Sequence, residues 1–295
     1  MTRGERLALG SIGIGCLVLA IKAAAWWLTR SAAIYSDAIE STVNVAAAIV
    51  SLVAIHLAAK PADANHPYGH DKAEFFAAVV EGAMIVAAAL TIFQHAWTTY
   101  WDPVPVQMPA PGLALNGVAT AINAGWAVLL IRTGRRARSP ALLADGRHLL
   151  ADVVTSVGVI AGVGLAVLTG YLVLDPLLAA LTGVHVLWSG ASMISASVGG
   201  LMDAAPSPEI VERIRRLVAT HAEGAIEAHD LRTRHAGRLT FLEFHLVVPG
   251  RMTVAEAHEI CDRVEAALKA EMDQLMITIH VEPEGKAKHQ GVLVL

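Results

Sequence analysis

The chain has 295 residues, of which 55% are hydrophobic, 16% charged and 5% aromatic, and its mean hydropathy is positive, a balance that excludes both disorder and an ordinary soluble globule. A net charge of -4 with 22 thinly spread Lys and Arg gives no basis for nucleic-acid binding by phosphate neutralisation. Cys16 and Cys261 are too few and too far apart for a disulfide framework or a cysteine zinc cluster.

Arg3 and Arg6 precede an apolar run that resembles a signal peptide, but no small-residue cleavage site leads from it into a soluble domain. A second apolar span follows at once, so the first is expected to remain as a membrane anchor. A spanning helix needs roughly 20 mainly apolar residues. Six segments meet that need: about 8 to 28, 33 to 57, 75 to 98, 111 to 131, 142 to 168 and 172 to 201.

Residues 203 to 295 hold 11 Lys/Arg and 15 Asp/Glu, against 11 and 11 for residues 1 to 202, so the net charge resides in the tail. The expected organisation is a six-helix membrane domain over 1 to 202, a soluble domain over 203 to 284 and a flexible end over 285 to 295. Cations mark the cytoplasmic side. Arg3 and Arg6 precede the first span, Lys60 and Lys72 flank the second loop, and Arg132, Arg135, Arg136, Arg138 and Arg147 crowd the fourth. The third and fifth loops carry none, so both termini and the tail are expected in the cytoplasm of a multi-pass protein of a bacterial inner (plasma) membrane.

The tail reads as an α+β unit. Ser207 and Pro208 open a helix with Ile210, Ile214 and Val218 on one face. Strands are expected over 225 to 233 and 239 to 248 with a turn at Ala236 and Gly237, then a helix capped by Thr253 over 254 to 272, and a β-branched run over 276 to 281.

Charges inside spans are costly, by ~2.5 to 3.5 kcal/mol each on insertion scales, and mark pathways. The second span holds Asp37, Glu40 and Asn44, and the fifth holds His148 and Asp152. Glu40/Asn44 and His148/Asp152 are i, i+4 pairs, so each pair projects from one helix face. With a rise of about 1.5 Å per residue, the first pair lies roughly 10 to 16 Å from the outer end of its span and the second roughly 9 to 15 Å from the inner end. Both pairs therefore meet near the midplane. One imidazole, two carboxylates and an amide oxygen suit a divalent first-row metal, and two negative charges balance its charge.

The competing reading is that such groups only hold helices together by hydrogen bonds. That reading suits a lone His95 better than two matched pairs. Asp37 is a candidate group on the way into or out of the site. Glu81 and Asp175 fit helix-end or packing roles equally well.

In the second loop Asp63, His66 and His70 fall within eight residues, a metal-ligand spacing by residue type that a hydrated polar loop also explains. The tail holds 7 of the 13 histidines, including His229, His235, His245, His258 and His280, together with Asp230 and Glu282. His280 and Glu282 share one strand face by the period of two and can chelate together.

Four segments carry a resemblance to the cation diffusion facilitators, exporters of divalent transition metals: S-D-A-I-E-S-T-V-N over 36 to 44, P-A-D-A-N-H-P-Y-G-H-D-K-A-E over 61 to 74, D-G-R-H-L-L-A-D over 145 to 152, and H-D-L-R-T-R over 229 to 234. The resemblance covers nearly the whole chain. It implies six transmembrane helices, a cytoplasmic ferredoxin-like (metallochaperone-type) tail, a Y- or V-shaped homodimer in lipid, and metal/proton antiport by alternating access. By matching positions it implies a transport site of Glu40, Asn44, His148 and Asp152, and a loop site of Asp63, His66 and His70. It also implies a tail site of His229, His245, His258, His280 and Glu282 that helps hold the dimer, and a charged pair of Lys72 and Asp203 interlocking the protomers. Zinc members commonly carry His and Asp where this chain has Glu40 and Asn44, a harder donor set that favours Mn(II), Fe(II) or Co(II). Glu282 stands where Asp is common.

The expected function is proton-coupled export of a divalent cation (Mn2+, Fe2+, Co2+ or Zn2+), with protons as counter-ions, and the expected chain is a secondary transporter rather than an enzyme. The alternative is a membrane-embedded metal sensor without transport. No H-E-x-x-H motif supports an intramembrane hydrolase, and no P-loop supports a nucleotide-driven pump.

Overall fold

The computed structural model describes residues 3–103, 105–137, 140–236, 239–272, 274–288 and 292–293. The side chains of residues 3–5, 8, 51, 134, 136, 137, 140–145, 147, 148, 292 and 293 lie outside that description. The chain forms two compact units, one made of Met1–His56 and Ala77–Ser195, the other of Leu57–Phe76 and Ala196–Leu295.

Helices α1 (Arg3–Thr29), α2 (Ala32–Ala58), α3 (Ala73–Trp101), α4 (Pro109–Ala137), α5 (Pro140–Thr169) and α6 (Leu174–Leu201) account for all six expected spans. Among the described residues, these six are long and apolar enough to cross a membrane. Pro109 and Pro140 open α4 and α5 at the first helical position, where the missing N–H has no intrahelical partner to lose. Gly170 takes φ +73 after α5, the left-handed conformation that ends a helix without a Cβ clash.

The start of α2 is capped from another helix. Asp175, in the first turn of α6, accepts the N–H of Ala32 at 2.6 Å and of Ala33 at 3.2 Å, and the Ser31 hydroxyl at 2.5 Å. A carboxylate at a helix N-terminus satisfies orphan donors and meets the positive end of the dipole. Asp175 is therefore a helix-end group for α2, and it ties the starts of α2 and α6 together.

Lys22, two turns before the end of α1, is 1% exposed. Its ammonium donates to Asp37 Oδ1 at 2.7 Å and to Ser156 Oγ at 2.9 Å, while the Ser156 hydroxyl lies 2.7 Å from the same carboxylate oxygen. This corrects the expectation for Asp37. A buried ammonium in a span needs an opposite charge, so Asp37 is held in an ion pair joining α1, α2 and α5 rather than standing free along a path.

Between α3 and α6 the backbones approach closely. A Cβ on Gly190 would lie 2.8 Å from Ile85 Cγ2 and 3.0 Å from the Gly82 carbonyl oxygen, and one on Gly82 would lie 2.6 Å from Ile194 Cγ1. Small residues let spanning helices pack where lipid offers no hydrophobic driving force. Ile85, Ala89, Ile92 and Val186 fill the contact, with Val43 packed against them. His95 packs against Tyr35 with ring centroids 4.2 Å apart and the planes tilted by 44°.

In the second unit α7 (Pro208–His221), β1 (Glu227–Ala236), β2 (Leu239–Val248), α8 (Val254–Glu271) and β3 (Leu275–Pro283) follow the expected α-β-β-α-β order. Thr253 and Glu256 form a reciprocal capping box at α8, which satisfies two orphan donors. Among the described residues the sheet has four strands in the order β3-β2-β1-β4, with β1 antiparallel to β2 and β2 parallel to β3. Strand β4 (Val292–Leu293) pairs with Glu227 and Ala228, inside the stretch expected to be flexible. An apolar Val-Leu run beside the open edge of β1 has backbone donors and acceptors to pair with.

Leu242, Phe244, Leu246 and Val248 of β2 join Ile214, Val218, Val264 and Leu268 of the helices in one core, each large side chain contributing roughly 1.5 to 3 kcal/mol by burial. The strand period of two then sends His245 of β2 and His280 and Glu282 of β3 to the face away from the helices.

Candidate metal centre

Glu40 and Asn44 of α2 and Asp152 of α5 line one cavity in the helical unit, closed by Ile85 and Ala88 of α3 and by His185 and Ser189 of α6. The Asn44 amide donates to Asp152 Oδ2, and Asp152 is 3% exposed. Glu40 Oε2 is buried without a hydrogen-bond partner among the described residues. A buried acceptor with nothing to accept from is costly, and a cation relieves that cost. The i, i+4 spacing places His148 one helical turn from Asp152 on α5; its side chain lies outside the described residues.

The α2–α5 seam is pinned at two levels. Asp37 and Ser156 meet one turn nearer the α2 N-terminus than Glu40 and Asp152 do, and Asn44 meets Asp152 below them. Sequence reading missed Lys22, Ser156 and His185. The available signals were a lysine inside the first apolar run and a histidine inside the sixth.

The loop of the second unit brings Asp63, His66 and His70 together, one ligand atom of each lying within 4.8 Å of the others. Asp63 Oδ1 accepts the N–H of Asn65 at 2.9 Å and of His66 at 2.7 Å, an Asx turn that fixes the loop. These bonds, the His66 N–H first, hold the Asp63 carboxyl below its ordinary value. His66 Nδ1 and His70 Nε2 stand 3.4 and 3.5 Å from its oxygens.

The tail gathers three histidines from three adjacent strands. His229 pairs across from His245, and His245 across from His280. Glu282 sits among them, 3.3 Å from His229 Nε2, 3.4 Å from His245 Nδ1 and 3.7 Å from His280 Nε2. A register shift between His229 and Arg232, with Asp230 at φ +52, brings the Asp230 carboxylate 4.0 Å from His245 Nδ1. Its hydrogen bond from Lys288 holds Asp230 below the ordinary carboxyl value. Glu227, buried at 1% exposure and 3.6 Å from His229 Nδ1, was missed in the sequence, although it alternates with His229 on β1.

His258 does not join this cluster within the chain. It lies on α8, 75% exposed, 3.8 Å from Asp262. His235 bonds Thr240 instead. Lys72 and Asp203 pair within one chain at 2.8 Å, and Arg234 reaches the same oxygen at 3.2 Å.

Residues 9–202 match the family model described as the cation efflux transmembrane domain, and residues 206–284 match that of the cation efflux protein, cytoplasmic domain. The chain belongs to the cation efflux family. It is 41% identical over 276 residues to an uncharacterized transporter of Synechocystis sp., covering 94% of this chain and 89% of that one. It is 30% identical over 287 residues to the cation-efflux pump FieF of Escherichia coli, covering 97% and 95%. A solved structure of the transporter CzrB in its Zn form is 53% identical over 28% of this chain and 96% of that one, with a TM-score of 0.28. The cation efflux family is the cation diffusion facilitator family named above. This chain is accordingly a multi-pass membrane protein and a divalent metal exporter.

Proposed function

We propose that this family member exports a first-row transition metal of the Mn(II), Fe(II), Co(II), Zn(II) class from the cytoplasm in exchange for protons, by alternating access, as a homodimer. The observation that carries this reading is the cavity between membrane-spanning helices where Glu40, Asn44 and Asp152 converge on a buried, unpartnered carboxylate oxygen. Two carboxylates offset a divalent charge, and oxygen with imidazole donors match the softness of this metal class.

His148, one turn from Asp152, is the fourth donor. Imidazole must be neutral to ligate, and its ordinary titration lies near neutrality. Metal arriving from the cytoplasm displaces a proton from the site, and a proton returns once the metal has left. Both termini, the loop site and the tail site face the cytoplasm of a bacterial cell. There the tail cluster around Glu282 binds the same class of ion and couples cytoplasmic metal to dimer contact.

The test is flux. Purified protein in sealed vesicles is offered Mn, Fe, Co, Zn and Cd separately, with a pH-sensitive dye inside. Metal uptake with opposite proton movement is expected. Metal bound at the tail without any flux would instead make the chain a sensor.

A further inference from the structure

We infer that His185 of α6 is an additional ligand of the transported metal, completing with Glu40, Asn44, His148 and Asp152 a site that has two imidazoles rather than one. The inference rests on the transport-site reading above.

Depth carries the argument first. Asp175 anchors the start of α6 to the start of α2 through Ala32 and Ala33. Counted from that shared point at about 1.5 Å per residue, His185 lies about 15 Å along α6, while Glu40 and Asn44 lie about 12 and 18 Å along α2. The imidazole therefore sits at the level of the donors already assigned. Its place on the cavity wall beside Val186 and Ser189 agrees with that count.

The close approach of α3 and α6 explains how it gets there. Gly82 and Gly190 bring the two backbones together, and Val186 packs with Ile85 in the same contact. His185 and Ser189 are i, i+4 on one face of α6, and both line the cavity.

Among the described residues His185 has no hydrogen-bond or ion-pair partner, and it is exposed in the chain taken alone. A polar ring deep in a span needs a partner. Glu40 Oε2, buried in the same cavity wall, is also without one. A rotation of the exposed ring toward Glu40 would let one divalent ion in the shared cavity serve both.

The donor chemistry changes accordingly. Glu40 in place of a histidine removes a nitrogen from α2, and His185 restores one from α6. Two nitrogens, two carboxylates and an amide oxygen make a borderline five-donor set, which suits Fe(II), Co(II) or Zn(II) better than Mn(II).

The experiment measures KM for Co(II) and Mn(II) flux in vesicles bearing the full chain, the His185→Ala and His185→Gln variants, and Asp152→Ala. Loss of an imidazole ligand is expected to raise the Co(II) KM by about 10-fold or more and the Mn(II) KM by a smaller factor, so that Co/Mn selectivity falls in both His185 variants. A purely structural role would move both metals alike. Unchanged selectivity in the His185 variants, with flux abolished in Asp152→Ala, overturns the inference and leaves the transport site standing. Flux surviving in Asp152→Ala overturns both.

Discussion

Lys22 Nζ lies 2.7 Å from Asp37 Oδ1, with the two side chains 1% and 2% exposed. Neither charge has solvent to fall back on, so each depends on the other. Removing one partner leaves an uncompensated charge among apolar helices, at a cost of about 3 to 5 kcal/mol. Lys22→Met and Asp37→Leu should each lower the thermal midpoint of the purified protein sharply. The double variant should recover most of the loss, because a neutral pair has no charge to desolvate. Singles as stable as the parent would show that the pair is not needed to hold α1 against α2 and α5.

The Gly82/Gly190 contact should be intolerant of any side chain. The Cβ of an alanine at Gly190 meets a backbone carbonyl oxygen at 3.0 Å as well as Ile85, and a backbone atom gives way less easily than a side-chain tip. Gly190→Val should cost about 1 to 3 kcal/mol by overpacking and should reduce flux by moving α6 off the cavity. Thermal unfolding and vesicle uptake on one preparation check both effects. Flux unaffected by a clear loss of stability would separate the α3–α6 contact from transport.

Asp203 gives a pH signature. Hydrogen bonding to Lys72, then to Arg234, holds its carboxyl below the ordinary value of 3.8. A depressed folded value means stability that is fully present above 3.8 and is lost as pH falls through the lower folded value. Asp203→Asn should therefore be less stable than the parent at neutral pH, and the difference should close in strong acid. Because the pair is half exposed, the effect is small and screened by salt. Parallel stability profiles across acid pH would contradict the ion pair.

Under the proposed function, the tail site should be separable from transport. Glu282 uses both oxygens, one toward His229 and one toward His245, a reach that the longer side chain provides. Glu282→Asp withdraws the carboxylate by one methylene and should weaken tail metal binding more than His280→Ala, whose imidazole is 65% exposed and 3.7 Å away. Calorimetry on the full chain reads the order of the two losses, and residual flux is expected in both. Complete loss of flux in His280→Ala with an intact dimer would contradict this division of labour.

Much of this arrangement was legible in the sequence because it rests on strong periodicities. Apolar runs of spanning length gave the helices, and i, i+4 spacing put Glu40 with Asn44 on one face. The period of two put His280 with Glu282. What was not legible depended on contacts between distant segments. Asp37 looked like a group along a path because Lys22 lies 15 residues away on another helix, and no local pattern pairs them. Asp175 could not be told from a packing residue, since its partners are N–H groups at the start of α2. His185 has no i, i+4 partner that marks it, and only the helix packing brings it to the cavity. Val292–Leu293 was too short a run to stand out as a strand without the edge of β1 to receive it.

Asn44 distinguishes this chain from the zinc pattern most sharply. Asn44→Asp would add a third carboxylate beside Glu40 and Asp152, turning the donor of the Asn44–Asp152 bond into a repelled acceptor. Affinity for every divalent ion should rise, most for Zn(II) by the Irving–Williams order, and release should slow. Slower Mn(II) turnover with a larger Zn/Mn affinity ratio is expected. No change in either Mn(II) turnover or the Zn/Mn affinity ratio would make Asn44 a packing residue.

The most direct test of the central claim is metal flux through Asp152→Ala in sealed vesicles. Asp152 is 3% exposed, accepts the Asn44 amide and shares the cavity with Glu40 and His185. Its removal should abolish uptake of Zn(II), Co(II) and Mn(II) while the protein remains a folded dimer by size-exclusion chromatography. Near-normal flux in that variant would contradict a transport site between α2 and α5.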